Sequence, residues 1–297
     1  MVLRRIDEAD MTVSVAQQPA GSNLVSGLEI VLLPDISLTI RHSAGPHSEA
    51  TSSARLAAGS IPRRHVWAML FSRTVLFALW QSVFALGFRL AGSTRPWAAS
   101  VPWWLLTASL GNITNIGLLA WMARREGFRL SQIFNFERKT WKGDVLLVIA
   151  ATAVAAPLGY FPNPLLARAL FGSPSVVIPM MFQPLPEWAI VVAAVVFPVT
   201  IALSELPNYY GYVLPRLKTL TGSGWQIVML VGLSHALQHV TLPLLFDPRF
   251  MLWRFGMFLP FALFVACLVN WRPSLLPYLM LVHGLLDASL ATLVPAA

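Results

Sequence analysis

The sequence predicts an all-α, polytopic transmembrane helical bundle of about seven spans, with six and eight as the bounds. Hydrophobic residues make up 56% of the 297 and charged residues only 11%, against roughly 25% charged in soluble domains. Mean hydropathy is +0.65, and the apolar residues gather into runs close to the roughly 20 that cross a hydrocarbon core. Tryptophans fall largely at the ends of those runs, at 103, 104, 121, 188, 225, 253 and 271, as in the aromatic belts of membrane interfaces. A net charge of +8 does not read as a nucleic-acid footprint, because the basic residues are spread among short loops. The expected surroundings are membrane lipid, with no nucleic-acid partner. Cys267 is the one cysteine and lies inside an apolar run, which excludes an intrachain disulfide and a cysteine metal motif.

Residues 1–64 differ from the rest. They are rich in Ser, Ala and Gly and hold six of the 13 acids, Asp7, Glu8, Asp10, Glu29, Asp35 and Glu49. This composition predicts a disordered cytoplasmic tail. Apolar residues alternate in part over 25–40, but no signal-peptide core with a small-residue cleavage site follows. A transmembrane domain is expected over 65–295.

Its predicted spans are 66–90, 101–122, 145–161, 188–206, 225–246, 250–269 and 274–294. Arg73 and Gln81 interrupt the first, and Asn112 and Asn115 sit three apart in the second. Between the second and third lies a basic loop with Arg124, Arg125, Arg129, Arg138, Lys139 and Lys142. The positive-inside tendency makes this loop, and hence the N-terminus, cytoplasmic. Leu130, Ile133, Phe134, Phe136 and Trp141 suggest a short interfacial helix within it. The Pro-rich stretch 162–186 is apolar enough to lie on the membrane or re-enter it.

Chemistry-bearing residues collect late in the chain. Glu205 ends an apolar run and is the only acid between Glu187 and Asp247. An ionisable group in such a place is a functional candidate by default. His235 and His239 are four apart, as are His283 and Asp287, so each pair shares a helix face. A polar face of that kind points into a bundle rather than at lipid. One carboxylate, two or three imidazoles and a second carboxylate suffice for a general base, a proton shuttle and oxyanion donors. They also suffice for a metal site of His and carboxylate ligands. Proton relays in transporters use the same residue types. Inverted repeats would favour that class, and no convincing internal repeat is visible.

Gly211-Tyr212-Val213-Leu214-Pro215-Arg216-Leu217 resembles the second half of the first motif of the CAAX protease and bacteriocin-processing (Abi) family of intramembrane proteases. His239-Val240-Thr241-Leu242-Pro243-Leu244-Leu245-Phe246 resembles the second motif, and His283-Gly284-Leu285-Leu286-Asp287 the third. The resemblance covers about 188–295, the expected protease core. It implies an endopeptidase acting on a membrane-proximal peptide or lipidated peptide, in a bacterial plasma membrane. It also implies that Glu205 and His239 activate water, and that His283 and Asp287 hold the oxyanion or orient the site. Family members are often described as metalloproteases, so a divalent metal such as zinc, held by Glu205, His239 and His283, is a candidate cofactor. Two positions depart from the motif: Leu206 stands for its second glutamate and Tyr210 for its arginine. Asn208 and Tyr210 are expected to supply hydrogen bonds in their place, and His235 to be a third imidazole or a stacking group. Pro207 predicts a kink or a helix end beside Glu205. The departures also admit a catalytically inactive member acting as a binding or immunity-type membrane protein.

Overall fold

The computed structural model describes residues 28–32, 38–42, 49–59, 61–221 and 224–297. They fall into two units, 1–44 and 45–297. In the first, strands β1 (Leu28–Leu32) and β2 (Leu38–His42) pair antiparallel, with Ile30 opposite Ile40. Much of the expected disordered tail lies outside the described residues. Its C-terminal part does not fit that expectation: Glu49–Ala57 forms a helix, α1, that packs on the bundle. Leu56 joins the apolar core there, and Arg55 lies 3.8 Å from the buried Glu126.

The second unit is helical. Its elements are α2 (Arg63–Leu90), the short α3 (Pro96–Ser100), α4 (Trp104–Arg125), α5 (Trp141–Tyr160), α6 (Pro162–Phe171), the short α7 (Val177–Met181), α8 (Glu187–Leu206), α9 (Leu214–Thr221), α10 (Gly224–Gln238), α11 (Pro248–Trp271) and α12 (Leu276–Asp287). Among the described residues, six helical stretches are long and apolar enough to cross a membrane: Arg63–Leu90, Pro96–Arg125, Trp141–Phe171, Glu187–Thr221, Pro248–Trp271 and Pro273–Leu293. The protein is an integral membrane protein on this evidence of length and composition. The third stretch runs on through the predicted re-entrant region as far as Phe171.

Burial follows a membrane pattern. Between its charged ends, α2 exposes large apolar side chains nearly every turn: Trp67, Phe71, Val75, Leu79, Val83, Leu86 and Leu90. Its buried face carries Arg73 and Gln81. A soluble protein rarely leaves so large an apolar surface bare, whereas lipid covers it at no cost and forces polar groups inward. The buried residues of α4 follow suit, with Asn112 bonding Thr200 and Asn115 bonding Ser72.

The fifth predicted span is corrected. α10 has 15 residues, about 22 Å at 1.5 Å per residue, short of a hydrocarbon core of about 30 Å. From His239 to Asp247 the chain is irregular, and Pro243 cannot continue a helical hydrogen-bond ladder. Irregular backbone at membrane depth survives only where protein satisfies its polar groups. Gln81 does so for Leu244, donating to its carbonyl at 3.0 Å and accepting from its N–H at 2.8 Å. Trp97 donates to the same carbonyl, and Arg254 donates to the carbonyls of His239 and Leu242. The polar residues that made the first span look impure therefore support this break. α11 then restarts at Asp247, whose side chain accepts from the Arg249 N–H at 2.8 Å. That hydrogen bond, reinforced by the Arg249 guanidinium, holds the Asp247 carboxyl below its ordinary range.

Beside Glu205 the helix neither ends nor kinks sharply. It widens into a π-type segment, Pro207–Val213, and continues as α9. Missing the Pro207 N–H, the chain lengthens its turn. Gly211 is needed in this segment: a Cβ there would stand 2.5 Å from Ile133 Cγ2 and 3.0 Å from the Ile133 carbonyl oxygen. Gly211→Ala is expected to lower unfolding stability by about 1–3 kcal/mol, as overpacking against backbone does. Denaturant titration in detergent measures it, and an unchanged midpoint would show that the contact relaxes freely.

Candidate functional site

Glu205 lies 18 residues into α8, about 27 Å along the Glu187–Thr221 stretch at 1.5 Å per residue. That is midway along the stretch, and the side chain is fully buried. Its two oxygens are held by three different helices. Arg73 of α2 donates from Nη2 to Oε2 at 3.0 Å. His235 of α10 meets Oε1 through Nε2 at 2.8 Å. His283 of α12 brings Nε2 to 2.9 Å from Oε1. Arg73 also donates to Gln238 and, at 2.6 Å, to Ser204 Oγ, and its guanidinium sits over the Phe77 ring. Sequence reading placed the lost arginine of the first motif at Tyr210. The structure supplies a guanidinium to Glu205 from the first span instead.

His235 faces Glu205 with one nitrogen and Tyr210 with the other, Nδ1 lying 2.6 Å from the hydroxyl. A carboxylate can only accept, so Nε2 carries a proton. In the neutral ring Nδ1 can only accept, and it competes for the single Tyr210 O–H proton with the Ala262 carbonyl, 3.0 Å from the hydroxyl. His235 also stacks on Tyr209, with ring centroids 5.2 Å apart. It is therefore both a third imidazole of the site and a stacking group. Tyr210 belongs to the site through His235. Asn208 does not: it donates to the Met69 carbonyl at 3.0 Å and accepts from Asn115. Its expected role beside Glu205 is replaced by a tie between α2, α4 and the π-type segment.

His239 is one turn beyond His235, and its Nδ1 lies 3.1 Å from the His235 carbonyl oxygen. A carbonyl accepts only, so Nδ1 bears the proton and neutral His239 keeps a lone pair on Nε2. The ring stacks on Phe258 at 3.6 Å between centroids. His239, His283, Asp287 and Arg254 all line one cavity of about 190 Å³, closed in part by Ile178 and Met181 at the Pro-rich stretch. A second, apolar cavity of about 470 Å³ lies among α5, α11 and α12 and shares His283, Asp287, Phe258 and Leu290 with the first. His283 Nε2 is 3.3 Å from Asp287 Oδ2. Neither of its carboxylate contacts is aligned as a hydrogen bond, so the ring stands between two acids without being locked to either.

Among the described residues, Glu205, His235 and His239 bring ligand atoms within 4.8 Å of one another, a spacing that could hold a metal ion. The trio differs from the expected one, since His235 takes the place of His283. Its present partners do not suit a cation. Glu205 Oε1 and His235 Nε2 are 2.8 Å apart, a hydrogen-bond distance, whereas two ligands of a tetrahedral zinc stand about 3.3 Å apart. The Arg73 guanidinium already sets a positive charge on the same carboxylate.

Two arginines were missed as site residues: the sequence reading noted Arg73 only as an interruption of the first span and did not single out Arg254. It placed the ionisable core on the fourth, fifth and seventh spans from acids and histidines alone. Arg73 and Arg254 add the first and sixth. Their signal was present, because a cation in an apolar run is as costly as an acid. The conspicuous Gly211–Leu217 segment has a different task. Arg216 forks onto Glu126 with Nη2 at 2.6 Å, and Tyr212 donates to Glu126 at 2.8 Å. This segment clamps the end of α4, and Arg216 makes no contact with Glu205. No protein-family model, curated protein or solved structure matches this chain.

Proposed function

We propose that this protein hydrolyses a peptide bond within or beside the membrane, as an intramembrane endopeptidase of the CAAX-protease-like kind. The observation that carries this reading is that His239 turns Nδ1 to the His235 carbonyl and lines the same cavity as His283 and Asp287, so that its Nε2 is the nitrogen left for a base. Water taken up there gives a proton to His239 as its oxygen attacks the scissile carbonyl, and the imidazolium returns that proton to the amine nitrogen as the C–N bond breaks. Glu205 has both oxygens engaged, by Arg73 and His235, but retains about two of its four lone-pair sites. A ligand atom of His239 lies within 4.8 Å of one on Glu205, a gap that one water making two hydrogen bonds of about 2.8 Å each can bridge. The expected Glu205–His239 pair thus divides its work: His239 accepts the proton, and Glu205 orients the water and anchors Arg73, His235 and His283. His283 is placed to donate to the developing oxyanion, and Asp287 to orient His283. Glu205 sets the tautomer of His235, and Tyr210 lies against its other nitrogen.

The setting is a bacterial plasma membrane with the N-terminus and the Arg124–Lys142 loop in the cytoplasm. A lipidated peptide fits the apolar second cavity as readily as a bare one. The proposed reaction uses no metal, since Arg73 supplies the charge that zinc would. Peptide cleavage by the full chain in proteoliposomes tests both points. His239→Ala is expected to lower turnover at least 100-fold, and equal turnover by parent and variant would sink the assignment. Chelator-treated, metal-depleted protein is expected to keep its rate. A loss restored by added zinc would overturn the metal-free mechanism.

A further inference from the structure

Arg254 is a buried cation with no acid in ion-pair reach; Asp287, on the same cavity, attracts it only from farther away. Arg254 is only 4% exposed, and among the described residues no carboxylate lies within ion-pair distance of it. Nε donates to the His239 carbonyl at 3.2 Å, Nη2 donates to the Leu242 carbonyl, and Nη1 meets only the Met257 sulfur at 3.7 Å. Two of its five N–H groups thus have oxygen acceptors, and a third has a weak sulfur contact. Arg73 differs in this respect, because Glu205 answers its charge at 3.0 Å. A charge left uncompensated in a low-dielectric interior is expensive. A structural tie to two carbonyls needs donors but no net charge.

The position of Arg254 gives the charge a use. It lines the 190 Å³ cavity together with His239, His283 and Asp287. Asp287 points its Oδ2 at His283, which leaves Arg254 as the cavity's cationic wall. Trp253 and Phe258 carry the guanidinium against their rings, at 5.6 and 5.1 Å, so its plane is held. A planar, fixed guanidinium with free N–H groups matches a carboxylate.

We propose that Arg254 is a carboxylate-recognition site for the chain that occupies this cavity. The inference rests on the endopeptidase reading for the identity of that chain as a peptide. The carboxylate comes either from a free C-terminus or from an Asp or Glu side chain near the bond held at His239. The first source would place the cut a few residues from a C-terminus, and the second would make an internal acid the specificity determinant.

Binding measured apart from cleavage tests it. Fluorescently labelled apolar peptides are titrated into the full chain in detergent, in three forms: free C-terminal acid, C-terminal amide, and amide with one internal Glu. The parent is expected to bind at least one carboxylate form tenfold or more tighter than the plain amide. Arg254→Gln is expected to bind all three like the amide, and Arg254→Lys to keep most of the preference. Preference for the free acid alone assigns the C-terminus, and preference for the internal Glu assigns a side chain. Equal binding of all three by the parent, which needs no variant to fold, would overturn the proposal. So would a preference undiminished in a folded Arg254→Gln. Tight, selective binding without cleavage would defeat the endopeptidase reading and leave this site standing.

Discussion

Glu205→Gln is expected to lower peptide turnover at least 100-fold and to destabilise the protein at the same time. The two losses have one origin. Glutamine keeps the shape of the side chain but removes the charge that orients water and faces Arg73 at 3.0 Å. Removing one partner of a buried ion pair typically costs about 3–5 kcal/mol, because the other charge is left uncompensated. His239→Ala separates the effects. Its ring is hydrogen-bonded to its own helix and stacked on Phe258, so its loss removes the base without stranding a charge. Turnover in proteoliposomes and denaturant midpoints in detergent, taken on all three proteins, should place Glu205→Gln low on both scales and His239→Ala low mainly on turnover. A Glu205→Gln protein as active as its parent would remove the carboxylate from the mechanism.

Arg73→Leu is expected to be the most destabilising single change in the first span, again by about 3–5 kcal/mol. Arg73 is fully buried and joins three groups, Gln238, Ser204 and Glu205. Removing it leaves Glu205 facing two imidazoles with no permanent positive charge. Replacing both members together, as Arg73→Leu with Glu205→Leu, should recover much of that loss, since apolar groups in place of a buried pair are often neutral in stability. The double variant would remain inactive. The coupling between the two changes, read from a four-protein cycle of unfolding midpoints, distinguishes an ion pair from two independent packing residues. Additive effects would refute the pairing.

Much of the fold is legible in composition and pattern because lipid simplifies the problem. A span must be long, apolar and internally hydrogen-bonded, so runs of residues betray helices directly. What breaks this reading is a helix that stops early and is completed by distant side chains. α10 ends at Gln238, and the next residues stay within the bundle because Gln81, Trp97 and Arg254 satisfy their carbonyls. Nothing local to 225–246 announces partners more than 100 residues upstream. In the same way, Glu49–Ala57 reads as tail by composition. It is helical because the bundle end offers it Glu126 and an apolar seat.

The sequence by itself determined the class of this protein and the main members of its site. Intramembrane acids and histidines are too costly to be incidental, and their four-residue spacing puts each pair on one face. Tertiary structure alone decided who answers whom. It brought Arg73 from the first span to Glu205, used Arg216 and Tyr212 on Glu126, and turned Asn208 toward Met69 and Asn115. It also left Arg254 facing the cavity with no acid in ion-pair reach. The physical reason is that a side chain's cost in lipid is visible along the chain, whereas its compensation comes across the bundle, from helices whose order in sequence does not set which faces meet.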